Sequence, residues 1–151
     1  MKINKKSLII NILIPLAIGG LAAFLTRDSM MLYQNVQKPP LSPPAIVFPI
    51  VWTILYVLMG ISAYIVMEKG GCDSTLYSMQ LFVNFLWPIF FFGFEAYLFA
   101  FVLLLVLIGL VVGMIVTFYR CDKLAGYLQI PYLVWLLFAG YLNLGVYLLN
   151  M

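Results

Sequence analysis

Histidine is absent from this chain, and charge is scarce: eight basic and five acidic side chains make up only 9% of its 151 residues. Without imidazole the sequence lacks the usual transition-metal ligand, the usual general base near neutral pH and the commonest haem ligand. No metal site is therefore expected. The formal net charge of +3 is too small and too scattered for a nucleic-acid surface. There is no phosphate-binding glycine loop, no zinc-ligand spacing and no nucleophile–base pair. The five acidic residues, Asp28, Glu68, Asp73, Glu95 and Asp122, fall at the ends of apolar runs or between them. Proton-coupled pumps and ion pathways usually keep an ionisable group within the membrane, so this distribution argues against a small multidrug-type exporter.

What the chain has in quantity is apolar surface. It is 66% hydrophobic and 17% aromatic, with mean hydropathy +1.12. A soluble domain carries about a quarter charged residues, and so short a chain cannot hide this much apolar surface from water. A membrane-spanning helix needs roughly 20 apolar residues, because a helix satisfies its own backbone in hydrocarbon. Five runs fit, at about 8–25, 45–67, 76–92, 96–119 and 124–149. A transmembrane β-barrel would show short alternating segments instead. The reading is an all-α integral membrane protein, a five-transmembrane-helix bundle forming one domain over residues 1–151. The basic start followed by an apolar run resembles a signal peptide, but the run is long for one and Asn11 and Pro15 interrupt it.

The longest polar stretch, residues 26–44, ends in Lys38-Pro39-Pro40-Leu41-Ser42-Pro43-Pro44. Its four prolines forbid a regular helix and stiffen the loop. Basic residues near the spans set orientation. Lys2, Lys5, Lys6, Lys69, Arg120 and Lys123 lie on the amino-terminal side, against Arg27 and Lys38 on the other. The amino terminus is expected in the cytoplasm, with the proline-rich loop outside. Cys72 and Cys121 then fall on the cytoplasmic side, form no CxxC motif and are expected as free thiols.

The polar groups left in the spans are amides, phenols and indoles. Phe48, Trp52 and Tyr56 recur every four residues and share a helix face. Gln80, Asn84 and Trp87 do the same in the third span, and Tyr132, Trp135, Phe138 and Ala139 form a stripe in the fifth. At 1.5 Å per residue, Trp52 and Asn84 lie roughly 12 Å from the outer end, Trp87 roughly 8 Å and Trp135 roughly 21 Å. Aromatics also collect at membrane interfaces without a binding role, and Asn84, Gln129 and Asn143 can serve simply to bond helices together. The coincidence of depth on three helices, beneath a stiff loop, favours a cavity for a large planar ligand.

Three blocks carry a family resemblance. The first runs from Lys38-Pro39 through Pro43-Pro44, Val47-Phe48-Pro49 and Val51-Trp52-Thr53-Ile54-Leu55-Tyr56 to Met59-Gly60. The second is Gln80-Leu81-Phe82-Val83-Asn84-Phe85-Leu86-Trp87, extending to Phe91-Phe92. The third is Pro131-Tyr132, Trp135, Phe138-Ala139 and Leu142-Asn143. In this order they resemble the TspO family, the tryptophan-rich sensory proteins related to the mitochondrial translocator protein. The resemblance implies a sensor or translocator of a bacterial cytoplasmic membrane, often a homodimer, that binds porphyrins or similar hydrophobic planar molecules. By motif position Trp52, Asn84, Trp87, Trp135, Phe138 and Ala139 would line the pocket, with Phe48 on the same stripe as Trp52, and Tyr33 and Pro43 would belong to its lid. Porphyrin is expected as ligand, with no resident cofactor and no partner beyond lipid and a second copy. Some relatives are reported to degrade protoporphyrin in light. For such chemistry Trp52 and Trp135 would be the reactive indoles, but Leu32 and Leu41 stand where relatives often carry Trp, so binding without fast turnover is expected. The basic carboxyl-terminal motif of sterol-binding relatives is missing, which argues against a sterol.

Overall fold

The computed structural model describes residues 3–29, 35–44 and 46–151. Among them there is no β-strand, and five helical stretches are long and apolar enough to span a membrane. The spanning elements are α1 (Lys5–Leu25), α2 (Val47–Lys69), α3 (Thr75–Pro88), α4 (Tyr97–Cys121) and the pair α5 (Lys123–Tyr127) and α6 (Ile130–Leu149). Each matches an expected span to within about one turn. Of the residues read from sequence, Lys2, Leu32, Tyr33 and Ala45 lie outside the described residues.

Proline shapes two of these helices. Pro88 closes the regular part of α3, and the chain continues as a π-helical turn, Ile89–Gly93, a local widening often seen where a helix must re-aim side chains. The reversal into α4 is then made by Glu95 at φ 52°. Pro131 sits in the first turn of α6, where its missing N–H costs nothing, and it separates α6 from the short α5. The fifth span is thus broken near Leu128 rather than continuous.

In α4, Ala100, Leu104, Leu107, Val111, Met114 and Phe118 are buried, a repeat of four and three that fixes one face inward. Leu98, Phe99, Val102, Leu105, Val106, Val112 and Val116 remain exposed, as a lipid-facing surface should. This helix packs against α3 and α6, while α1 packs mainly on α2. Small residues permit the α1–α2 approach, as membrane helix pairs require. A Cβ at Gly60 would overlap the Ile12 backbone and lie 2.6 Å from the Asn11 carbonyl oxygen, and one at Gly19 would overlap the Tyr56 ring.

At the amino-terminal end of the bundle Cys72 and Cys121 form a disulfide, their Cα atoms 6.2 Å apart. The expectation of two free thiols is corrected here. The α2–α3 turn and the α4–α5 junction meet at this end, a proximity that a sequence separation of 49 conceals. Beside the disulfide, Lys69 Nζ lies 3.4 Å from Asp122 Oδ2. Burial pushes the Asp122 carboxyl up, but the Leu124 N–H and the neighbouring Lys69 outweigh it and hold the group below the ordinary carboxylate range. At the opposite end, the proline-rich loop is pinned to α6. The Tyr141 hydroxyl donates to the Pro40 carbonyl at 2.6 Å, Asn150 exchanges hydrogen bonds with the Gln37 backbone, and Gly145 leaves room for the Pro39 ring.

Candidate functional site

The cavity that best fits a ligand opens between α1, α2 and α3, with a volume of about 510 Å³. From α2 it is lined by Phe48, Pro49, Trp52, Thr53 and Tyr56, and from α3 by Asn84, Trp87 and Pro88, with Phe92 just beyond. The expected stripes on α2 and α3 therefore face one space. Its volume lies within the roughly 300–1,000 Å³ typical of small-molecule sites, and its walls are mostly apolar, with Phe48, Trp52, Tyr56, Trp87 and Phe92 as the aromatic part.

The polar groups beneath it are largely engaged by one another. The Tyr56 hydroxyl donates to Asn84 Oδ1 at 2.7 Å, and Asn84 Nδ2 donates to the Tyr132 hydroxyl at 2.7 Å. Tyr132 in turn donates to Gln80 Oε1 at 2.8 Å. The Trp87 indole N–H donates to Asn143 Oδ1 at 3.0 Å, and Asn143 Nδ2 donates to the Tyr97 carbonyl. Asn84 and Asn143 thus tie four spans together, α2, α3, α4 and α6, the service polar residues give in a membrane interior. Leaving the two phenols without Asn84 exposes their desolvation cost. Asn84→Leu is expected to lower bundle stability by about 0.6–2 kcal/mol, read as thermal unfolding in detergent. An unchanged unfolding temperature would show the chain of tyrosines to be energetically idle.

Trp52 differs from Trp87. Its ring stacks on Tyr56 at 5.5 Å between centroids and meets Tyr132 edge-on at 6.1 Å. It remains partly exposed, so a ligand in the cavity meets an indole face. Phe48 closes the far wall.

The other residues expected in the site fall elsewhere. Trp135 stands behind Phe48, edge-on at 5.8 Å, with Phe138 beside it at 5.6 Å. Its indole nitrogen is buried without a partner. Trp135, Phe138 and Ala139 do not line this cavity; Trp135 supports its wall from the α6 side. Pro43 also stays outside the lining, within the pinned loop, and Leu41 is 82% exposed. Tyr33 lies outside the described residues.

Sequence reasoning missed the wall that α1 supplies. Leu16, Gly19, Gly20, Ala22, Ala23, Thr26 and Arg27 complete the lining. The available signal was the cluster of small residues Gly19-Gly20-Leu21-Ala22-Ala23, which lets α1 come close to α2 at one end while leaving space at the other.

A sequence model of the TspO/MBR family matches residues 11–149. The chain is 41% identical over 152 residues to a tryptophan-rich protein TspO of Archaeoglobus fulgidus, covering 97% of this chain and 99% of that one. It is 33% identical over 156 residues to the protein of the same name from Chlorobaculum tepidum, with the same coverage of each. A translocator protein of Bos taurus is 36% identical over 139 residues, covering 87% of this chain and 82% of its own.

Proposed function

The chain belongs to the TspO/MBR family, and from that premise we propose that it is a membrane sensor or translocator that binds a porphyrin, or a similar large planar hydrophobic molecule, in the cavity between α1, α2 and α3. The observation that carries this reading is the convergence of Phe48, Trp52, Trp87 and Phe92 on one space of about 510 Å³. Flat aromatic walls offer stacking area to a macrocycle at little conformational cost. Relatives named translocator protein and tryptophan-rich protein TspO support the sensor or translocator part of this reading.

The direct test is a dark titration of the purified protein with protoporphyrin, followed by the porphyrin Soret band. Saturation at about one equivalent per chain is the expected result. Partition that rises linearly, as into empty detergent micelles, would refute the reading. The partly exposed Trp52 also favours examining a second activity, light-dependent breakdown of the bound porphyrin. We expect slow loss of absorbance under illumination, because Leu41 does not reach the cavity to hold an intermediate there.

The same proposal takes in a bacterial cytoplasmic membrane with the amino terminus inside, an orientation supported by the basic residues at that end. The Cys72–Cys121 disulfide then lies on the inner side of the membrane. In intact cells treated with a membrane-permeant reductant that opens the disulfide, a permeant maleimide is expected to modify both cysteines and an impermeant one neither. Labelling by the impermeant reagent after mild external reduction would reverse the orientation. A homodimer would use the outer face of α3, where Met79 and Phe82 are exposed opposite Asn84.

A further inference from the structure

Arg27 is the single charged side chain among the residues that line the cavity. It follows Thr26, the carboxyl-terminal cap of α1, and its guanidinium lies 4.3 Å from the centre of the Phe24 ring. That contact holds the planar group over the ring; among the described residues its charge has no ion-pair partner. Asp28 follows it in sequence but does not line the cavity. The site therefore has two chemically different ends, an aromatic interior and a cationic rim.

We propose that Arg27 is a specificity-determining residue that recognises a carboxylate on the ligand, so that the cavity selects planar aromatic acids over their neutral counterparts. The proposal rests on the ligand-binding reading of this cavity. A guanidinium presents paired donors that match a carboxylate's two oxygens. At a membrane surface the water around such a pair is reduced, which strengthens it relative to bulk solvent. The competing role for Arg27 is structural: a cation at a helix carboxyl terminus stabilises the helix, with the Phe24 contact as added support.

The test uses two matched probe pairs in the dark: protoporphyrin against its dimethyl ester, and pyrenebutyric acid against pyrenebutanol. Wild type is expected to bind each acid at least tenfold tighter than its neutral partner, with the preference shrinking as salt rises. Arg27→Gln should abolish the preference by weakening the acids far more than the neutral probes, and Arg27→Lys should keep part of it. Equal affinity for acid and neutral probes, or an Arg27→Gln variant that loses both alike, would overturn the proposal and leave Arg27 a helix cap. If neither porphyrin binds but pyrenebutyric acid binds through Arg27, the carboxylate site stands and the porphyrin reading falls. No Arg27-dependent preference in either pair sinks the inference outright.

Discussion

Replacing Trp52 by leucine is expected to weaken protoporphyrin binding by about 1–3 kcal/mol, the range found when an aromatic platform under a flat ligand is removed. In affinity this is roughly 5- to 150-fold. The structure gives Trp52 this weight because it is the indole whose face is partly open to the cavity, whereas the Trp87 indole is spent on Asn143. Trp135→Leu is expected to have a smaller effect, because it acts through Phe48 rather than by contact with the ligand. Equilibrium titration of the two variants checks the order. Equal losses would move the ligand toward α6, and no loss in either would place it elsewhere.

The second large effect concerns the wall rather than the floor. Gly60→Ala places a methyl group on the backbone of α1, at Ile12 and Asn11. Backbone cannot swing aside as a flexible side chain can. Overpacking of a close-packed contact typically costs 1–3 kcal/mol, and we expect about 3 kcal/mol here, with α1 displaced from α2 and the ligand site opened. Thermal unfolding and porphyrin titration should both register it. Gly109→Ala is the control, since nothing lies within 4 Å of a Cβ there and alanine is the better helix former. If the two variants unfold at the same temperature, the close α1–α2 contact does not hold the bundle together.

Much of this architecture was legible from residue order alone. Length of apolar run is a direct reading of bilayer thickness, so the spans emerged nearly as the structure has them. Period-four spacing correctly put Phe48 and Trp52 on one face, and Asn84 and Trp87 on another. Spacing, however, says which residues share a face and nothing about which neighbour that face meets. Trp135 illustrates the limit: its stripe on α6 is real, yet the stripe meets Phe48 and the core rather than the open space. The α1 wall escaped notice for the opposite reason. Glycine and alanine carry no polar or aromatic signal, and a cavity wall made by the shape of a helix pair leaves little trace in composition. The cysteines show a third limit, since redox compartment and loop position bear on whether thiols persist but cannot reveal that two distant turns coincide in space. Arg27 likewise read as one loop charge among several until α1 was seen to end at the cavity.

The central claim is that a planar macrocycle occupies the space between α1, α2 and α3. The measurement that meets it most directly is a structure of the protein determined after incubation with protoporphyrin in the dark. The expected result is the macrocycle against the Trp52 face, between Phe48 and the small residues of α1, with a propionate turned toward Arg27. A macrocycle found on the lipid-facing surface of the bundle, with the cavity unchanged, would contradict it.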